Sequence, residues 1–152
     1  MKALLQRVTR AAVSVSGETV GRIGPGLVIL LGVAAGDTEK DAGLLARKIV
    51  NLRIFGDAAG KFNLSVLDAG GELLIISQFT LLAEARKGRR PSFTAAAPPA
   101  EAERLFNYFV EQGRLSGLRV ATGRFQQQML VEILNDGPVT LMLDSREINS
   151  QL

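Results

Sequence analysis

NDGPVT, residues 135–140, separates two short apolar runs, MLVEIL at 129–134 and VTLML at 139–143, each of strand length. Asn, Asp and Gly tolerate positive φ, while Pro138 has a fixed φ and no N–H to give to a ladder. The minimum reading is therefore a tight connection between two strands. A sharper reading makes the Gly137-Pro138 bond cis, because only an X-Pro bond carries so small a cis penalty. Such a bond would turn successive carbonyls to one side as a rigid polar wall. The hexapeptide alone leaves both readings open.

Working back from this stretch, residues 123–128 form a polar connection and residues 119–122 a short strand. Before them, Pro98-Pro99 opens a helix whose first turn holds Glu101 and Glu103, as the helix dipole favours. Its buried stripe is Ala102, Leu105, Phe106, Phe109 and Val110, and Gly113 and Gly117 end it. The segment ELLIISQFTLL, residues 72–82, reads as a central strand buried on both faces. Ser77, Gln78 and Thr80 are then polar groups at a buried strand end, each of which must be hydrogen-bonded or cost about 1–3 kcal/mol. Thr38 followed by Asp41 is close to a capping box, and Ala42, Leu45, Ala46, Ile49 and Leu52 line one face of a helix ending near Phe55-Gly56. A polar loop follows through Gly60, Lys61 and Asn63. Residues 2–10, 12–16, 20–23 and 27–33 read as strands, the last one buried, and Arg7 is a lone charge whose simplest place is a solvent-facing edge. This order indicates an α+β domain with one main, largely antiparallel sheet.

Composition limits the chemistry. A chain of 152 residues, 47% hydrophobic and 22% charged, suffices for one globular domain. Its longest uncharged apolar stretch, residues 27–36, is about half of what a bilayer span requires. The N-terminus meets Arg7 and Arg10 before a signal-peptide core can form, so a cytosolic protein is expected. There is no cysteine and no histidine. Disulfides, thiolate nucleophiles, Cys/His zinc sites and histidine general bases are excluded within this polypeptide. Catalysis here would rest on hydroxyls, carboxylates, basic side chains, backbone groups or the substrate itself. A net charge of +3 favours a polyanionic partner, and KGRRPSF at 87–93 places Lys87, Arg89 and Arg90 on one loop suited to phosphates.

SQFTLL at 77–82 and NDGPVT at 135–140, in this order and separation, resemble the paired motifs of the D-aminoacyl-tRNA deacylase family. The similarity runs essentially end to end, through QRV around Arg7, LLGVAAGDT (30–38), KIVNLRIF (48–55), GKFNLSV (60–66) and KGRRPSF. The resemblance implies a single domain over residues 1–152, with a barrel-like sheet and two main helices packed on it. It implies hydrolysis of the ester of D-aminoacyl-tRNA at the 3′-terminal adenosine, without cofactor or metal and without DNA or membrane as partner. It also implies a homodimer in which a cis Gly137-Pro138 of one subunit enters the other's pocket, against Ser77, Gln78, Phe79 and Thr80. Arg7 would help hold that loop, Phe125, Met129 and Val139 would support the site, and Lys87, Arg89 and Arg90 would bind tRNA. Phe125 is followed by Gln126, Gln127 and Gln128, where the family commonly has a small Gly-Ala pair and an acidic residue. A non-catalytic RNA-binding or ribosome-associated module is the alternative from another class.

Overall fold

In the computed structural model, which describes residues 1–148, the N-terminal apolar segment is one long strand, β1 (Lys2–Val15). A bulge bends it: between the pairs Val8–Asn135 and Ala11–Ile133, β1 advances three residues while its partner advances two. One edge of β1 pairs antiparallel with β3 (Gly26–Gly32) over its first half and with β2 (Glu18–Ile23) over its second. Its other edge pairs with β8 (Leu130–Asp144). The two runs flanking residues 135–140 are thus halves of one strand, not two strands joined by a turn.

From β3 the sheet continues through β6 (Glu72–Ser77) to β7 (Val120–Thr122), and both of these ladders are parallel. The sheet is therefore mixed, with antiparallel ladders around β1 and parallel ones beyond β3. Parallel neighbours need a long crossover, and helices α1 (Glu39–Asn51) and α2 (Pro99–Leu115) lie within the two crossovers. β3 and β6 alternate between two cores. Leu27, Ile29, Leu31, Leu73 and Ile75 pack towards Leu45, Ile49, Phe106 and Phe109 of the helices, whereas Val28, Leu74 and Ile76 meet Val8, Val13 and Ile23 inside the curled sheet. Burial on both faces explains why these strands read as continuous apolar runs.

The curl is fastened beyond the ladders. Arg119, just before β7, donates to the Arg22 carbonyl on β2 at 2.9 Å and to the Glu72 carboxylate at 2.6 Å. Glu72 in turn accepts the Gly24 N–H at 2.9 Å. The result is a nearly closed, barrel-like sheet with two helices on its outer face.

Thr38 caps α1 as its sequence indicates: the Asp41 carboxylate accepts from the Thr38 N–H at 2.9 Å and from its hydroxyl at 3.0 Å. Asp41 also accepts from the Ser145 hydroxyl, which receives a bond from the buried Met1 ammonium, itself 2.8 Å from Asp37. The helix stops at Asn51, several residues before the expected end. Leu52 is already extended because Ile54 must turn its side chain into the core and its carbonyl towards Arg7. Residues 55–64 form a small hairpin, β4 (Phe55–Gly56) with β5 (Phe62–Leu64), where a polar loop was expected. α2 passes Gly113, which is buried against Leu73 and Ile75, and ends at Leu115.

The Gly24 N–H, and behind it the Arg119 guanidinium, hold the Glu72 carboxyl below its ordinary value. The charged form is favoured by the fold, so its contribution is present above the unfolded value near 4.5 and fades as pH falls through the lowered native one. Glu72→Gln is expected to cost about 1 kcal/mol at pH 7. Urea unfolding at pH 7 and pH 3 checks this, since the gap to the parent protein should shrink in acid; an equal gap at both would contradict the account.

Candidate active site

The apolar run of β6 does not continue through residue 82. Its last ladder bond is Gln78 N–H to Leu31 C=O at 2.8 Å, after which Phe79–Leu82 form a 3₁₀ turn. Gly32 permits this departure: a Cβ there would stand 2.5 Å from Leu82 Cδ2 and 3.0 Å from the Gln78 carbonyl. The expected buried strand end is consequently a surface turn. Ser77 and Gln78 are half-buried, while Phe79 (55% exposed) and Thr80 face outwards. The first bond within the turn is Leu81 N–H to Gln78 C=O, so the N–H groups of Phe79 and Thr80 precede it and have no carbonyl partner within the turn. The Gln78 amide donates to the Thr80 hydroxyl.

Beside this turn lies a cavity of about 450 Å³, the size of a small-molecule site. Ser77, Gln78, Phe79, Phe125 and Met129 line it, as do Gln126 and Gln127. Ile76 and Val131 also line it, and so do Val33, Pro99, Ala102, Ala96 and Ala97, none of which was anticipated as a site residue. The signal for Ala96 and Ala97 was the run of small residues at 94–97 before Pro98-Pro99, which leaves space instead of filling it. Gln126 has φ +61, a left-handed conformation that L side chains seldom adopt, at the cavity rim.

NDGPVT lies elsewhere. Between the pairs Val8–Asn135 and Gln6–Thr140, β1 advances two residues and β8 five, so residues 136–139 stand out from the ladder. The Asn135 carboxamide spans the gap, donating to Arg7 C=O and Val139 C=O at 3.0 Å each and accepting from Gln6 at 3.3 Å and Thr140 at 2.9 Å. Gly137-Pro138 is cis, and Gly137 has φ +116. A Cβ on Gly137 would meet Val139 Cγ2 at 2.9 Å and Arg7 Nη2 at 3.1 Å, so glycine alone fits.

Arg7 faces this loop and not solvent; its side chain is 14% exposed. Nη1 donates to Ile54 C=O at 2.8 Å, and Nε is in ion-pair contact with Asp136 at 3.3 Å without hydrogen-bond alignment. The guanidinium lies over the Phe62 and Phe55 rings, 5.5 and 5.9 Å from their centroids, within cation–π range. Arg7 pairs with Leu27 at the start of β3, whereas Ser77 pairs with Leu31 at its end. Four residues of strand, about 13 Å, separate the two motifs along β3. Within one chain they lie at opposite ends of β3.

Lys87, Arg89 and Arg90 are exposed on the loop after the turn. Arg86, Lys87 and Arg90, with Glu84 and Ser92, surround a hollow of about 330 Å³. Among the described residues no group of His, Cys, Asp and Glu side chains could hold a metal, and no helix is long and apolar enough to cross a membrane.

Because Asn135 satisfies four partners at once, Asn135→Ala is expected to cost about 2–3 kcal/mol by leaving carbonyls at the strand gap unpaired. Chemical denaturation measures the loss, and hydrogen exchange should quicken at residues 136–140; unchanged exchange there would argue against this bridging role.

Known proteins resemble this chain over nearly its whole length. The sequence profile described as D-Tyr-tRNA(Tyr) deacylase matches residues 4–144. A Dehalococcoides mccartyi protein named D-aminoacyl-tRNA deacylase is 64% identical over 147 residues, 97% of this chain and 96% of its own length. One of the same name from Heliobacterium modesticaldum is 60% identical over 146 residues, 96% of this chain and 97% of its own. A solved structure titled c-Myc DNA Unwinding Element Binding Protein has a TM-score of 0.89 at 46% identity, covering 95% of this chain and 98% of that one. With similarity running from β1 through β8 and across both signature stretches, the chain belongs to the D-Tyr-tRNA(Tyr) deacylase family.

Proposed function

We propose that the cavity beside Ser77 and Gln78 receives the 3′-terminal aminoacyl-adenosine of a D-aminoacyl-tRNA, whose ester is hydrolysed to free D-amino acid and tRNA. The observation that carries this is the 3₁₀ turn at the cavity's edge, with the N–H groups of Phe79 and Thr80 without partners in the turn. An ester is already activated, and the polypeptide has no histidine or cysteine to serve as base or thiol nucleophile. Water attacks the carbonyl carbon, the two N–H groups take the charge that develops on its oxygen, and the ribose 2′-hydroxyl positions the water. The tRNA ribose oxygen leaves with a proton. The Thr80 hydroxyl accepts a bond from the Gln78 amide and has no adjacent base, which disfavours it as nucleophile.

Selection between D and L substrates is a matter of exclusion, since both carry the same groups and differ only in where the side chain points. Gly137 and Pro138 of a second copy form the wall that an L side chain would strike. Two observations support a homodimer: the loop and the cavity of one chain lie at opposite ends of β3, and the β8 side of the sheet exposes Leu130, Leu141 and Met142. Glycine has no side chain to strike the wall, so glycyl-tRNA is cleaved as well. The role is chiral proofreading in translation quality control, in the cytoplasm. Lys87, Arg89 and Arg90 hold the acceptor-stem phosphates.

Single-turnover hydrolysis of matched D-, L- and glycyl-tRNA esters against a buffer control tests the reading. The D and glycyl esters should be cleaved and the L ester spared; equal cleavage of D and L esters would refute the wall, and no cleavage with retained tRNA binding would favour the non-catalytic RNA-binding module. Thr80→Ala should keep most of the activity, and a loss of several orders of magnitude in a folded protein would instead make Thr80 the nucleophile. The affinity for tRNA should fall as salt rises, with a shallower slope when Lys87, Arg89 and Arg90 are replaced by alanine.

A further inference from the structure

Residues 83–97 join the 3₁₀ turn to α2 and fold back on themselves. Glu84 and Ser92 exchange both backbone hydrogen bonds, at 2.8 and 2.9 Å, which closes the basic tip into a small hairpin. The Glu84 carboxylate accepts the Arg86 N–H at 2.8 Å and steadies the first side of that tip. Below it the segment is tied to the end of β3: Ala35 N–H donates to Ala95 C=O at 2.9 Å and Ala97 N–H to Val33 C=O at 3.0 Å. Between tip and anchor stands Phe93. Its half-buried ring meets the Phe79 ring edge to face, with centroids 5.0 Å apart and planes at 65°, within the favoured range for aromatic pairs.

Phe79 is more than half exposed, and it sits in a turn whose N–H groups have work to do only if they hold a fixed direction. An oxyanion donor displaced by even an ångström loses much of its effect. We infer that Phe93 is a positioning residue: it fixes the Phe79 ring, and through it the backbone of the 3₁₀ turn, and links that turn to the loop bearing Lys87, Arg89 and Arg90. This rests on the reading of the Phe79–Leu82 turn as the catalytic element.

Two substrates separate the effects: a D-aminoacyl-tRNA, and a D-aminoacyl-adenosine that has the same ester but no acceptor stem. Phe93→Ala should lower the single-turnover rate on both by on the order of tenfold or more, while the dissociation constant for tRNA stays within about twofold. Phe93→Tyr, which keeps the ring edge, should restore the rate. Phe93→Leu, which keeps an apolar side chain in place, should lie between, and carries the test if the alanine variant fails to fold. Parental rates on both esters for Phe93→Ala, a loss confined to tRNA affinity, or a tyrosine variant as slow as the alanine one would each overturn the inference while leaving the deacylase reading intact. A parent protein that hydrolyses neither ester would overturn both.

Discussion

Across the gap between Asn135 and Thr140, β8 has three more residues than β1 can pair, yet the ladder resumes on either side. The surplus must leave the sheet, and the polar groups stranded at its base must find partners. Asn135 supplies most of them. The displaced loop then gives Arg7 a neighbour, so that a charge in an apolar strand is largely shielded by Asp136, two aromatic rings and the Ile54 carbonyl. The demand for that carbonyl accompanies the early end of α1 and the hairpin that brings Phe62 over the guanidinium. Through Arg7, a local mismatch in strand length is thus in contact with a helix end, a hairpin and a protruding loop that are distant from one another in sequence.

The opposite end of the sheet follows another rule. β3 and β6 run parallel, and the cavity lies beyond their carboxyl ends, between the chain that leaves β6 and the start of α2. Ligand sites of parallel sheets commonly lie there, because chains diverge after the last ladder bond and leave a crevice. Here the divergence is sharpened by Gly32, which allows the turn to fold close over β3. A chain with no histidine or cysteine keeps hydroxyls, carboxylates, basic side chains and backbone groups for its chemistry, and a turn at a strand end is where backbone N–H groups are released from the ladder.

Much of this was legible in residue order. The continuous apolar runs at 27–33 and 73–76 announced buried strands, the second buried on both faces, and Thr38 with Asp41 announced a helix start, because both signals depend on neighbours in sequence. SQFT and NDGPVT stood out as motifs before their surroundings were known. The strand's end at Ser77 was not legible: residues 79–82 are apolar enough to continue it, and only Gly32 on the neighbouring strand releases them. Arg7 read as a solvent-facing charge for the same reason, since its partners come from residues 54–62 and 136. The small residues 95–97 carried no signal of their own because an empty space has no periodicity.

The sequence by itself determined the class of fold, the burial of its central strands, the exclusion of thiol and imidazole chemistry and the two motifs. Those properties follow from composition and from spacings of two or four residues. Tertiary structure decided that the two apolar runs near the C-terminus are one strand, that the SQFT segment turns out of the sheet, and that the two motifs stand at opposite ends of β3. These are matters of register between segments far apart in the chain, and register is fixed only when the strands meet and their mismatched lengths must be reconciled.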